Sequence, residues 1–197
     1  MNTFNELIEK SHSQAKEMGW WDEERNTGEL LMLIVSECGE ALEADRSQKH
    51  ADLKKFDAEV EKFHKDDWVV IFKDNIKDTF EDELADIVIR IADLCGASSE
   101  IVEYFKDREI FLDAQMHIKG NQKINVGESL MAVVKALSNV PNDVLNGTRT
   151  FMPMMMIHEA IIRVMIIASE HDINLPKHIE LKLAYNRTRG NKHGKAY

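Results

Sequence analysis

The chain has 197 residues, of which 44% are hydrophobic and 30% are charged, a composition typical of globular rather than disordered proteins. Only 9 glycines and 3 prolines are present, too few turn formers for a sandwich of many short strands, so a mostly helical chain is expected. Acidic residues outnumber Lys and Arg by 35 to 25, and the net charge of -10 argues against a protein that coats nucleic-acid phosphates. Cys38 and Cys95 fall in apolar helical patterns and predict buried, reduced thiols rather than a disulfide framework.

The sequence contains neither a basic leader nor an uninterrupted apolar run of the roughly 18 residues that a membrane span needs. Its most apolar stretch, residues 151–167, is interrupted by Pro153, His158, Glu159 and Arg163. We therefore expect a soluble cytoplasmic protein that has neither a membrane nor a nucleic-acid polymer as its partner.

Apolar residues recur at helical spacing along most of the chain, and capping residues mark where helices begin. The first helix is predicted to begin at Thr3, where Glu6 completes a capping box, and to stop near Gly19. A last helix is predicted from Pro176, because proline suits a first helical position. Between them, helices are predicted from Thr27 through Leu42 and over residues 80–95, 98–114, 127–140 and 151–170.

Two segments between the second helix and the helix at 80–95 depart from this pattern. Residues 47–67 are polar and predict a solvated helix around Leu53, Phe56 and Val60. Apolar runs on either side of Lys73-Asp74-Asn75 predict a short β-hairpin near residues 68–80. The predicted fold class is therefore all-α, with this hairpin as its one β element.

Internal similarity suggests a repeated helix pair. Residues 28–35 resemble residues 127–134, and residues 87–92 resemble residues 160–165, in the same order along the chain. An old duplication explains both matches, but short apolar helices also resemble one another by chance. Both explanations stay open at this point.

Four acidic residues are the most informative feature of the sequence. Glu37 and Glu40 lie three positions apart on one predicted helix, and Glu83 and Asp86 lie three apart on another. At about 100° per residue, each pair projects from one helical face beside the apolar stripe. If the helices pack antiparallel, the four carboxylates can converge, and they repel unless a cation such as Mg²⁺ or Mn²⁺ neutralises them. Solvated acids on two surface helices are the alternative.

These acidic segments, residues 36–43 and 82–90, resemble the MazG-like all-α nucleoside triphosphate pyrophosphohydrolases. Residues 19–21 and the tail residues 185–189 and 193–195 fit the same family. Two departures stand out. The connection between the two acidic segments is longer than the family's usual one, and the region after the second has no counterpart in compact members.

The resemblance implies a MazG-like helical bundle that hydrolyses nucleoside triphosphates, with deoxynucleotides favoured, to a monophosphate and pyrophosphate in nucleotide metabolism. It implies that Glu37, Glu40, Glu83 and Asp86 bind Mg²⁺, or Mn²⁺, and act as the catalytic residues. The basic tail could grip phosphate oxygens, and a tryptophan could stack on the base. The substrate-binding residues expected on these grounds are Lys182, Tyr185, Asn186, Arg189, Lys195 and Trp21.

Compact family members are understood to pair as dimers that complete a four-helix bundle, so an internal duplication would account for the extra region. Residues 1–197 would then be a single domain with a catalytic half, 1–96, a degenerate half, 97–175, and a C-terminal helix and basic tail, 176–197. A homodimer, and extra helices unrelated to any duplication, are the alternatives. In the second copy the four acids correspond to Ala136, Asn139, Met156 and Glu159.

Two other functions compete with the enzyme. The main alternative is a non-catalytic helical interaction or regulatory module that retains the acidic motif without turnover. A weaker one is a redox metal bundle bridged by carboxylates.

Overall fold

A computed structural model describes residues 3–62, 67–106, 108, 125–146 and 151–194, and within these ranges the chain is helical and contains no strand. The predicted all-α class is confirmed. The helices are α1 (Phe4–Glu17), α2 (Thr27–Arg46), α3 (Leu53–Lys62), α4 (Trp68–Asn75), α5 (Phe80–Gly96), α6 (Ser99–Phe105), α7 (Val126–Ser138), α8 (Met152–Glu170) and α9 (Leu175–Arg187).

Helix α5 lies at the centre of the molecule and is buried on nearly every face. Helices α1, α2 and α9 pack along it, and α8 also contacts it. Helix α7 packs along α8 and contacts α2, so α2, α5, α8 and α7 form a closed ring of neighbouring helices. The division into a catalytic and a degenerate half stays a prediction.

Side-chain caps begin α1 and α5, and the cap of α1 is the residue that the sequence predicts. The Thr3 hydroxyl accepts a hydrogen bond from the Glu6 backbone N–H at 3.2 Å, as the capping box requires. Thr79 caps α5 by accepting from the Asp82 backbone N–H at 3.4 Å. The chain leaves α1 through Gly19, whose φ of +79° lies in the left-handed region. The predicted first helix is confirmed.

The β-hairpin predicted near residues 68–80 was wrong, because Trp68–Asn75 form α4. Its apolar run has the β propensity that suggested strands, but tertiary packing decides the outcome. Trp68 stacks on Phe72 one helical turn later, with ring centroids 5.4 Å apart. Phe72 in turn stacks on Tyr185 of α9 at 4.5 Å, a contact that the helical spacing makes available.

The segment predicted as a solvated helix forms α3, but one side of it is buried. Phe56 is only 2% exposed and packs into a second, smaller hydrophobic core shared by α3, α4 and α9. The helix predicted over 98–114 is described as α6 through Phe105, and most of its remainder lies outside the described residues. The buried residues of the second core are Phe56, Ile71, Phe72, Ile76, Leu181 and Tyr185.

In the described part of the chain, α8 is long and apolar enough to cross a membrane by length and composition alone. Core helices of soluble proteins pass the same test, and half of the apolar window of α8 is buried inside the molecule. Ile157, Ile161 and Val164 of this helix belong to the main hydrophobic core.

Candidate metal centre and adjoining cleft

Three carboxylates from two helices converge at the centre of the fold. Glu37 of α2 and Glu83 and Asp86 of α5 each offer an oxygen, and these three atoms lie within 4.8 Å of one another. We refer to the three residues as the acidic cluster. Glu37 and Glu83 are 5% and 3% exposed, and Asp86 is half-buried. The helix pairing that the sequence only suggested therefore brings three of the four acids together.

Glu40, the fourth predicted acid, is exposed and does not belong to the acidic cluster. The reason is its register on α2. Glu37 follows the buried positions Leu30 and Ile34 at helical spacing, whereas Glu40 shares its face with the exposed residues Ser36 and Glu43. This register was visible in the sequence and separates the two glutamates.

The acidic cluster resists full ionisation. Burial raises the pKa of Glu83 to about 9, and the nearby charges of Asp86, Asp82 and Glu37 act in the same direction, while Lys182 opposes them. Burial also raises the pKa of Glu37, against the pull of a nearby arginine. Crowded carboxylate oxygens of this kind are the donors that Mg²⁺ and Mn²⁺ prefer, so the residues fit a hard divalent cation.

Lys182 of α9, predicted to bind substrate, makes ion pairs inside the protein. Its ammonium donates to Oδ2 of Asp82 at 2.6 Å and lies 2.8 Å from Oδ2 of Asp86. Burial alone would lower the pKa of Lys182, but the two carboxylates outweigh it and raise that pKa above its usual range. Lys182 therefore ties the acidic cluster to α9 as an internal counterion.

Asp82 belongs to the site, although it is not among the residues predicted from the sequence. Its side chain is fully buried, and burial raises the pKa of this carboxyl to about 6 despite the ion pair with Lys182. A second group of three acids consists of Asp78, Asp82 and Glu83, each of which offers an oxygen within 4.8 Å of the other two. The sequence does contain a signal for Asp82, because it lies in the first turn of α5, where the helix dipole favours an anion.

Arg90 links the two helices that carry the acidic cluster. Arg90 lies on α5, and its Nε is 2.6 Å from Oε1 of Glu37 on α2. Because the Glu37 carboxylate is buried, this cation partly offsets its desolvation. The pair also positions Arg90 beside the acidic cluster.

A cleft between α1, α2, α5 and α9 adjoins the acidic cluster and includes Asp86 in its wall. Trp20 and Asn186 also line it. Arg25, Arg90 and Arg189 share this cavity with Asp86 of the acidic cluster. An anionic ligand held beside a metal would require such an arrangement. The charged residues that line the cleft are Arg25, Asp86, Arg90, Asp93 and Arg189.

The predicted tail residues divide between the cleft and the second core. Asn186 and Arg189 line the cleft. Tyr185 is not among the lining residues; its ring is buried against Phe72 in the second core. Lys195 lies outside the described residues.

Of the two adjacent tryptophans, Trp20 lines the cleft and Trp21, the predicted base contact, does not. The indole N–H of Trp21 donates to Oδ1 of Asp93 at 2.9 Å, and its ring meets His12 edge-to-face. His12 Nδ1 lies 2.8 Å from the same Asp93 oxygen. These contacts fix Trp21 against α1 and α5 rather than towards the cleft.

No protein-family model, curated protein or solved structure matches this chain. The resemblance to the MazG-like enzymes rests on the motifs quoted above and stays a prediction. The structure adds an acidic cluster able to hold a metal ion beside a cleft lined by arginines.

Proposed function

We propose that this protein is a Mg²⁺-dependent, MazG-like nucleoside triphosphate pyrophosphohydrolase. The observation that carries the proposal is the junction of the acidic cluster with the arginine-lined cleft through Asp86. A triphosphate needs cations on several oxygens at once, and a divalent metal beside guanidinium groups is a recurring way to supply them. The proposed products are a nucleoside monophosphate and pyrophosphate.

Glu37, Glu83 and Asp86 would hold the metal, because their oxygens already lie within 4.8 Å of one another. When bound, the ion would shield the triphosphate charge, polarise the α-phosphorus and activate a water. An ion pair with Arg90 holds Glu37 in position, and an ion pair with Lys182 holds Asp86 in position. The chain therefore orients its carboxylates before a ligand arrives.

The cationic lining of the cleft would bind the phosphate chain. Arg25 is held by Glu29 at 2.8 Å, so its guanidinium is oriented in advance. Arg189 lies over the ring of Tyr185, with its Cζ 5.9 Å from the ring centroid. Each guanidinium can donate two parallel hydrogen bonds to phosphate oxygens, which a lysine cannot.

The proposal is tested by incubating the purified protein with a panel of ribonucleoside and deoxynucleoside triphosphates plus Mg²⁺. Pyrophosphate and inorganic phosphate are assayed separately, because only cleavage between the α and β phosphates releases pyrophosphate. We expect pyrophosphate release that EDTA abolishes and Mg²⁺ or Mn²⁺ restores. Inertness across the panel, or release of inorganic phosphate alone, contradicts the proposal.

Variants then test the acidic cluster. Glu37→Gln and Asp86→Asn each remove one proposed metal ligand, and we expect at least a 100-fold loss of activity from either. Glu43→Gln on the same helix as Glu37 is the matched control, because its exposed side chain pairs with Arg46 and Ser47 and not with the acidic cluster. Equal activity in all three variants would refute the assignment of the metal ligands.

A second candidate, a non-catalytic helical interaction or regulatory module, draws support from Lys182. Its ammonium pairs with Asp82 and Asp86, so part of the acidic charge is neutralised within the chain. In such a module, the charge cluster would have no role beyond holding α9 on α5. Calorimetric titration with Mg²⁺ separates the two functions, because the module predicts no binding and the enzyme predicts binding that Glu37→Gln weakens.

A further inference from the structure

Two buried polar side chains of α1 line the cleft with unused hydrogen-bonding capacity. Ser11 is 3% exposed and Gln14 is 5% exposed, and both belong to the cleft wall. The Ser11 hydroxyl and Oε1 of Gln14 have no hydrogen-bond partner among the described residues. Buried polar atoms are nearly always paired with protein groups, ordered water or a ligand. Two unpaired ones on one cavity wall are therefore available to a ligand bound in the cleft.

The orientation of the Gln14 amide follows from its one hydrogen bond. Its Nε2 donates to the backbone carbonyl of Leu183 at 2.9 Å, and an amide nitrogen cannot accept. Oε1 is therefore the unpaired atom of the Gln14 amide, and it can only accept. Ser11 lies three residues earlier, on the same face of α1, and its hydroxyl can donate. The wall thus offers an acceptor and a donor side by side.

We infer that this wall reads the edge of a nucleobase in which an exocyclic amino group stands next to an unprotonated ring nitrogen, as in cytosine and adenine. The inference rests on the proposed function, since it takes the occupant of the cleft to be a nucleotide. The amino group donates to Oε1 of Gln14, and the Ser11 hydroxyl donates to the ring nitrogen. A uracil or hypoxanthine seated in the same position puts a carbonyl oxygen against Oε1, which repels it.

The cleft also carries a flat group suited to the face of a base. Trp20 lines the cavity, and the guanidinium carbon of Arg25, one of the proposed phosphate-binding residues, lies 5.8 Å from the centroid of the Trp20 ring. An indole ring is a surface on which bases stack without regard to their identity. Stacking there would supply affinity, while Ser11 and Gln14 would supply selection.

The test compares nucleotides that differ only in the amino group. Binding of dCMP against dUMP, and of dAMP against dIMP, is measured by titration calorimetry with Mg²⁺ present. Hydrolysis of the four matching triphosphates is measured in parallel. We expect the amino member of each pair to bind at least about 10-fold more tightly, a difference of about 1.4 kcal/mol. Equal binding within either pair, or no nucleotide binding at all, overturns the inference.

Variants assign the selection to its residues. Ser11→Ala and Gln14→Met each remove one polar partner, and each should reduce the amino preference to about 2-fold or less by weakening the amino member. Ser13→Ala, at an exposed position of the same helix, is the matched control and should keep the full preference. Thermal melts confirm that each variant is folded. A preference that survives both Ser11→Ala and Gln14→Met overturns the inference.

The two proposals can fail separately. Pyrophosphate release with no preference between dCTP and dUTP supports the proposed function and contradicts the base selection. Amino-selective binding of dCMP and dAMP without any pyrophosphate release supports the base selection and contradicts the proposed enzyme.

Discussion

The substitution Glu83→Gln should stabilise the metal-free protein at neutral pH. The pKa of Glu83 rises from 4.5 to about 9 on folding, chiefly because the side chain is buried. Between these values the folded chain keeps a proton that the unfolded chain releases, so the free energy of unfolding falls as pH rises. The stability that the proton provides is fully present only below the unfolded pKa. By about pH 7 about 3 kcal/mol of it has been lost.

Glutamine resembles the protonated glutamate and does not titrate, so the variant escapes this loss. At about pH 5 the two proteins should differ by less than about 1 kcal/mol, and at about pH 7 the variant should be more stable by about 3 kcal/mol, or roughly 6 to 12 °C in Tm. The measurement is urea unfolding followed by far-UV circular dichroism across this pH range, in EDTA. Adding Mg²⁺ should stabilise the wild type and leave Glu83→Gln nearly unchanged.

Glu43→Gln serves again as the control, because removing an exposed ion pair with Arg46 should change stability by less than about 0.5 kcal/mol at any pH. The reasoning is refuted if Glu83→Gln is the less stable protein at about pH 7. It is also refuted if the difference between variant and wild type does not grow as pH rises.

Three further substitutions test the packing around the candidate site, each by urea unfolding. Lys182→Met leaves Asp82 buried without its ion pair and should destabilise the fold by about 3 to 5 kcal/mol, and no loss would show that the pair is dispensable. Thr79→Ala removes the side-chain cap of α5 and should cost about 1 kcal/mol, whereas Thr79→Ser should restore most of it. Gly96→Ala brings a methyl group into collision with His12 and should cost about 1 to 3 kcal/mol, and an unchanged stability would contradict the close approach of α1 to α5.

Sequence reasoning predicted much of the helical fold because helix signals are local. Thr3 begins α1 as the capping box indicated, and Gly19 follows its end in the left-handed conformation. The apolar stripes of α2 and α5 are the faces buried in the main core. Each of these predictions depends on residues within a few positions of one another, so no knowledge of the rest of the chain was needed.

The candidate site was predictable only in part. The spacing of Glu83 and Asp86 on α5 is local, and both residues belong to the acidic cluster. Glu37 joins them only because α2 packs along α5, while Glu40 on the next face stays exposed. The cationic partner Lys182 is brought to Asp82 across 100 positions of sequence, a contact that no spacing rule anticipates.

The sequence by itself determined the class of fold and the acidic chemistry, because helical periodicity, caps and carboxylate spacing are written in neighbouring residues. Tertiary structure alone decided that Trp68–Asn75 is a helix, since the stack of Phe72 on Tyr185 outweighs the β propensity of that run. It also decided which acids meet and which cations face them. Burial and charge pairing act through space, and only the packed helices determine which residues share that space.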